Sequence, residues 1–306
     1  MNRNSHTIGC VIPTYNAKHH LKQCLSPLIN SPLKPRVLVV DSSSNDGTVE
    51  LARSLGAETI VIPQSSFNHG TTRELGRQAL KTDIICMLTQ DAYLVDNQAL
   101  NCLVAPLIEN RAKISYARQI PHQGAAFFES FPRYYNYPEK SQLRGIEDCS
   151  QYGVYTFFCS DSCAAYSNQA LDEIGGFSET LLGEDTVATA KILRNGHKIS
   201  YCAEALVHHS HHYSLKEEFC RSFDTGFARK SYYKLIACAG SDAKRGTGYV
   251  TAMAKQLVKT APWLLPYALM HAGAKWSGYK IGSWSTNAPL WLKKSLSSQK
   301  YYWKSQ

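Results

Sequence analysis

Across roughly its first ninety residues the chain alternates short apolar runs with amphipathic segments, and each run ends in a polar or acidic cluster. Thr7–Ile12 is a β-branched run ending at Pro13, and Lys18–Ile29 has the spacing of an amphipathic helix. Arg36–Val40 is a second strand, closed by the turn-forming Asp41-Ser42-Ser43-Ser44-Asn45-Asp46-Gly47-Thr48, in which Asp46 or Thr48 can cap a helix from Val49 to Leu55. Thr59–Ile62, a helix over Thr71–Leu80 and a strand over Ile84–Leu88 follow. Short buried strands alternating with helices predict a parallel sheet. The fold class expected is therefore α/β, a doubly wound, mostly parallel sheet flanked by helices, with ligands at the carboxyl ends of its strands. No GxGxxG follows any strand and no GxxxxGK[ST] occurs, which argues against a dinucleotide dehydrogenase and a P-loop NTPase.

With 306 residues, 44% hydrophobic and 19% charged, the chain is long enough for one large core or two modest domains and has the composition of a folded protein. Its ten cysteines form no CxxC pair, and several lie in apolar runs, which reads as reduced thiols. The polar start, Met1 to His6, lacks the apolar stretch of a secretory signal, so a cytoplasmic location is expected.

The net charge of +9 favours anionic partners, and it is unevenly placed: beyond residue 228 the only acid is Asp242. Residues 247–306 hold all five tryptophans, Trp263, Trp276, Trp284, Trp291 and Trp303, among eight lysines. The longest apolar stretch, Ala261–Ala274, is too short to span a bilayer and contains Pro262, Pro266 and His271. Trp and Tyr interleaved with Lys is the pattern of a segment lying on an anionic leaflet. The same residues would also serve helices packed on the α/β domain. Nucleic-acid stacking is the least favoured reading, because the charge lies on Trp-rich apolar segments. The expected division is 1–230 catalytic and 231–306 a helical, membrane-associating region.

A series of motifs in order carries a family resemblance. Val11-Ile12-Pro13-Thr14-Tyr15-Asn16, Val39-Val40-Asp41 with Asn45-Asp46-Gly47-Thr48, Asp91 and Glu184-Asp185 resemble glycosyltransferase family 2, which has the GT-A fold. Phe67-Asn68-His69-Gly70-Thr71-Thr72-Arg73, Leu88-Thr89-Gln90-Asp91-Ala92, Tyr116-Ala117-Arg118-Gln119 and Val207-His208-His209-Ser210-His211 are similar to stretches of the bacterial rhamnosyltransferases of surface-polysaccharide (O-antigen or capsule) assembly. The likeness covers roughly residues 7–230, with an echo in Gly278-Tyr279-Lys280-Ile281-Gly282.

The resemblance implies an inverting glycosyltransferase that takes a sugar from a dTDP or UDP donor, L-rhamnose from dTDP-L-rhamnose in the rhamnosyl branch. The acceptor would be a lipid-linked or growing bacterial glycan, and the chain would sit on the cytoplasmic face of the inner membrane. A UDP-sugar transferase of the same fold, or an inactive membrane-docked nucleotide-sugar-binding protein, are the alternatives.

The site residues follow from it. Asp41 would accept the N3–H of a pyrimidine, or merely start its turn. Pro13, Thr14 and Tyr15 would wall the base and ribose. Arg73, with Gln90 and Asp91, would contact the nucleotide diphosphate. Asp91 is the expected ligand of Mg²⁺ or Mn²⁺, here with Gln90 before it in place of a second carboxylate, and His209 is the candidate second ligand. His208 and His212 read as surface or packing residues. Asp185 is the expected base for the acceptor hydroxyl, with Glu184 orienting it, although an acidic pair also suits any helix start. His69, Arg118, Gln119, Arg133, Tyr137 and His211 would line the sugar and acceptor.

Overall fold

The computed structural model of the chain describes residues 6–240 and 243–304. Nine strands, β1 (Ile8–Thr14), β2 (Arg36–Asp41), β3 (Glu58–Val61), β4 (Ile84–Leu88), β5 (Tyr93–Leu94), β6 (Ile114–Ile120), β7 (Gln142–Arg144), β8 (Cys163–Ser167) and β9 (Ile199–His208), form one sheet. Its order is β3-β2-β1-β4-β8-β6-β9-β5, with β7 beside β9. The strands β1 to β4, β6 and β9 run one way, and β5, β7 and β8 run against them. The sheet is thus mixed, parallel in the half built by the first ninety residues and reversed at β8.

The helices are α1 (Lys18–Ile29), α2 (Thr48–Ser54), α3 (His69–Leu80), α4 (Ala99–Ile108), α5 (Phe127–Asn136), α6 (Cys149–Tyr152), α7 (Asn168–Asp172), α8 (Glu184–Arg194), α9 (Leu215–Ser231), α10 (Tyr233–Ile236), α11 (Ala243–Thr260), α12 (Leu265–Trp284) and α13 (Leu290–Leu296). Strand alternation divides the hydrophobic residues between two cores. Cys10, Ile12 and Val39 pack under α1 and α4 on one face. Val11, Leu38 and Val40 pack with Leu80 of α3 and Ile192 of α8 on the other.

Two element boundaries that bear on the site have local causes. Helix α3 begins at His69, because the Asn68 side chain accepts from Gly70 N and Thr71 N and caps it. Strand β9 continues to His208, because its pairing with β6 resumes beyond an irregularity at Ala117/Arg118.

The C-terminal helices pack on the elements that precede them. Helices α9 and α12 meet through glycines: a Cβ on Gly226 would lie 2.1 Å from Tyr279 O, and one on Gly282 2.0 Å from Phe223 O. This accounts for the Gly278…Gly282 spacing, since only Gly allows backbones so close. Gly282→Ala should force the helices apart and lower stability by about 1–3 kcal/mol, measured by urea denaturation; an unchanged midpoint would show that the crossing is not tight. A third, small core of Phe131, Met253, Leu257 and Ala268 joins α5 to α11 and α12.

Candidate functional site

The carboxyl ends of β4, β6 and β9 bring together residues separated by more than a hundred positions. Asp91 follows β4, and its carboxylate faces two imidazoles from the segment after β9: Oδ1 lies 3.6 Å from His209 Nε2 and Oδ2 lies 3.4 Å from His211 Nδ1. The ligand atoms of all three lie within 4.8 Å of one another. The chain stays extended past β9, with His209 N donating to Ile120 O, so residues two apart turn to one face. That places His211 beside His209. The sequence reading gave His211 to the sugar, and the period-two spacing was the signal for its place here.

Gln119 of β6 sets the histidine. Its Oε1 accepts from His209 Nδ1 at 3.0 Å and from Arg133 Nη1 at 2.6 Å, while its Nε2 donates to Ser160 Oγ at 2.8 Å. Nδ1 therefore carries the proton, and the Nε2 lone pair points at Asp91. Burial holds His209 well below the usual imidazole range despite the Asp91 charge, and takes His211 down to about 4. Both are neutral at physiological pH, as metal ligation requires. One carboxylate and two neutral imidazoles with a fixed tautomer fit a divalent cation. Asp91 and His211 line one wall of an open cleft of about 580 Å³, which also meets Tyr93, His122 and His208. His208 and His212 take other partners, Pro121 O and Glu129.

The acidic pair opens α8. Glu184 is buried and bound by Arg73, Nη1 to Oε1 at 2.6 Å. Asp185 is half-buried, its Oδ1 accepting from Thr186 N at 2.6 Å, and it makes no ion pair among the described residues. Burial first, then Glu184 and Asp161, raise the Asp185 carboxyl to about 8. Burial also pushes Glu184 upward, but Arg73 and His69 outweigh it and keep that group low. Adjacent carboxylates thus have opposite proton affinities, the separation that assigns acid and base roles.

Five of the expected contact residues have protein partners in the structure. Arg73 is only 2% exposed and is tied to Glu184 and Asp161. Asp41 is fully buried and holds its turn, Oδ2 accepting from Thr14 Oγ1 and Ser44 Oγ and Oδ1 from Ser44 N. Tyr137 is buried against Phe158 and Tyr201 in the core. Gln119 is buried and holds His209, and Arg118 pairs with Glu139 at 2.9 Å.

Of the remaining residues, Thr14 is buried, Pro13 is half-buried and Tyr15 is exposed, while Gln90 Oε1 accepts from Tyr15 N at 2.8 Å and ties the β1 and β4 loops together. His69 lies half-buried beside Arg73, its ring pushed down to about 4 by burial. Arg133 joins the site through Gln119. Sequence reasoning missed Asp161, which nothing local distinguishes.

A mixed sheet with this strand order, an acid–histidine cluster at its carboxyl edge and an acidic pair at a helix start define a glycosyltransferase of the GT-A kind. The model of glycosyl transferase family 2 matches residues 10–175, and the chain belongs to that family of inverting glycosyltransferases. It is 37% identical over 300 residues to the O-antigen chain rhamnosyltransferase RfbN of Salmonella typhimurium, covering 97% of this chain and 96% of that protein. It is 34% identical to the O-antigen chain rhamnosyltransferase WbaN of Salmonella anatum, covering 96% and 94%. Among solved structures it is similar in fold to the mannosyltransferase PcManGT from Pyrobaculum calidifontis in complex with GDP-Man and Mn²⁺. That match has a TM-score of 0.66 at 14% identity, over 92% of this chain and 87% of the other.

Proposed function

We propose that this chain transfers L-rhamnose from dTDP-L-rhamnose onto a lipid-linked or growing bacterial polysaccharide. Two observations support the reading together: near-full-length likeness to two rhamnosyltransferases, and a metal-type cluster assembled alongside a carboxylate suited to be a base. Asp91, His209 and His211 would hold Mg²⁺ or Mn²⁺, which when bound neutralises charge on the diphosphate leaving group. Two imidazole ligands favour Mn²⁺ over Mg²⁺. Asp185 takes the proton of the acceptor hydroxyl as it attacks in line. Glu184, neutralised by Arg73, keeps the start of α8 in place. Pro13 and Tyr15, with Gln90 behind them, form the rim for the nucleoside.

Incubation with dTDP-L-rhamnose, dTDP-glucose or UDP-glucose, with Mn²⁺ and acceptor-bearing bacterial membranes, tests the reading. Rhamnose should be incorporated and dTDP released. Preference for UDP-glucose would move the chain to the UDP-sugar class, and no turnover of any donor would favour an inactive binding protein.

The exposed C-terminal tryptophans support the proposal that residues 231–306 dock on an anionic leaflet. Trp263, Trp276, Trp284 and Trp291 are 65% to 74% exposed, and Leu269 is 76% exposed. Leu269, Trp276 and Trp284 fall on the face of α12 opposite Gly278 and Gly282. Trp303 belongs to the packing instead, buried against Phe227, and Lys275 pairs with Glu218. Among the described residues no helix is long and apolar enough to cross a membrane. The protein should co-sediment with phosphatidylglycerol-containing vesicles, less so at high salt, and Trp276→Ala with Trp284→Ala should release most of it. Undiminished binding by that double variant would remove this face from the docking surface.

A further inference from the structure

Asp161, just before β8, belongs to no motif, yet it lies at the junction of the two halves of the site. It is 3% exposed, and its Oδ1 accepts from Tyr166 Oη at 2.6 Å. Its Oδ2 lies 3.3 Å from Arg73 Nε, and neither atom has a hydrogen-bond partner. The preceding residue, Ser160, accepts from Gln119, which holds His209. On the other side Arg73 reaches Glu184, next to Asp185. One guanidinium therefore serves two buried carboxylates, Asp161 and Glu184, and leaves the half-buried Asp185 without an ion pair among the described residues.

We propose that Asp161 is a positioning residue for the reaction: by drawing the Arg73 guanidinium between itself and Glu184, it leaves Asp185 as the unpaired carboxylate that takes the acceptor's proton. This rests on the reading of Asp185 as the base. An arginine serving Glu184 alone would have its Nε side free to turn toward Asp185, and a cation there would weaken the base. Asp161 occupies that side and adds a negative charge, which raises the proton affinity of its neighbour. The direction found for each group agrees: Asp185 is raised by burial, Glu184 and Asp161, and lowered by Arg73. Asp161 itself is raised to about 6, by burial first, with Arg73 opposing and Glu184 adding.

The charged groups acting on Asp185 are Glu184 on its own helix and Arg73 from α3, while His69 of α3 acts on Glu184. Cys159, Asp161 and Tyr166 face Asp185 from β8 and its approach, with Tyr137 after α5 and Tyr232 after α9. Cys159, Tyr137, Tyr166 and Tyr232 are raised out of the neutral range, and His69 is lowered to about 4. Near neutrality the titration of Asp185 is thus governed by Arg73, Glu184 and Asp161.

The test is the pH profile of kcat/KM for dTDP-L-rhamnose turnover on acceptor-bearing bacterial membranes with saturating Mn²⁺, using the full chain. Asp161→Asn keeps the acceptor for Tyr166 and removes the charge. Its acidic limb should move to lower pH by on the order of one pH unit, with the high-pH rate reduced and dTDP affinity by calorimetry unchanged. Tyr166→Phe, which withdraws the hydroxyl favouring ionised Asp161, should move the limb the same way by less and covers the case in which Asp161→Asn does not fold. A limb at the wild-type position in the folded variants overturns the proposal, even if melting temperature falls, because a purely structural role leaves the limb in place. Wild-type turnover by Asp185→Asn would instead sink the reading of Asp185 itself.

Discussion

Asp185→Asn should lower turnover by about 10²- to 10⁴-fold, the usual contribution of a general base, and should leave the protein at least as stable as the wild type. The amide still accepts from Thr186 N, so the start of α8 keeps its hydrogen bond. The stability side follows from linkage. Asp185 protonates at about 8 in the folded protein and at about 3.9 in an unfolded chain. Between these pH values the folded state binds more protons than the unfolded state, so the wild type loses stability as pH rises through that window. Asparagine has no proton to lose. The melting temperatures of wild type and variant should agree near pH 4 and diverge toward pH 8, with the variant a few degrees higher. A residue kept only for structure gives the reverse, a lower melting temperature with turnover per folded molecule preserved.

Asp91→Asn should abolish the effect of Mn²⁺ on nucleotide-diphosphate binding, and Gln119→Leu should reach part of the way. Asp91 is the one carboxylate of the cluster, and without its charge two neutral imidazoles bind a divalent cation poorly. Gln119 touches no metal position, yet it fixes the proton of His209 on Nδ1 and holds the ring. Outer partners of this kind contribute roughly 10- to 100-fold in metal affinity. In calorimetric titrations of dTDP with and without Mn²⁺, Asp91→Asn should therefore bind alike in both, and Gln119→Leu should need about 10- to 100-fold more Mn²⁺. Full wild-type turnover in EDTA would remove the cation from the reaction altogether. If Gln119→Leu matched the wild type, the tautomer of His209 would be set some other way.

The sequence by itself determined the parallel half of the sheet, the positions of Asp91 and Glu184-Asp185 and the concentration of tryptophan near the C-terminus. Each is written in local order: period-two apolar runs, an acidic residue where a strand ends, an acidic pair at a helix start. Tertiary structure decided what each side chain meets. Arg73 and Tyr137 carry no local mark that separates a ligand contact from a buried partner, and both turn inward. Asp41 had two readings in sequence, and its turn occupies it. His211 joined the cluster because β9 runs on past Tyr201 to His208 and the chain stays extended beyond it. Asp161 became visible only when β8, running against β4, brought its approach between Arg73 and Gln119. Periodicity fixes which face of an element is covered, whereas the partners of a buried charge come from distant segments. They are chosen by the need to compensate that charge where water cannot.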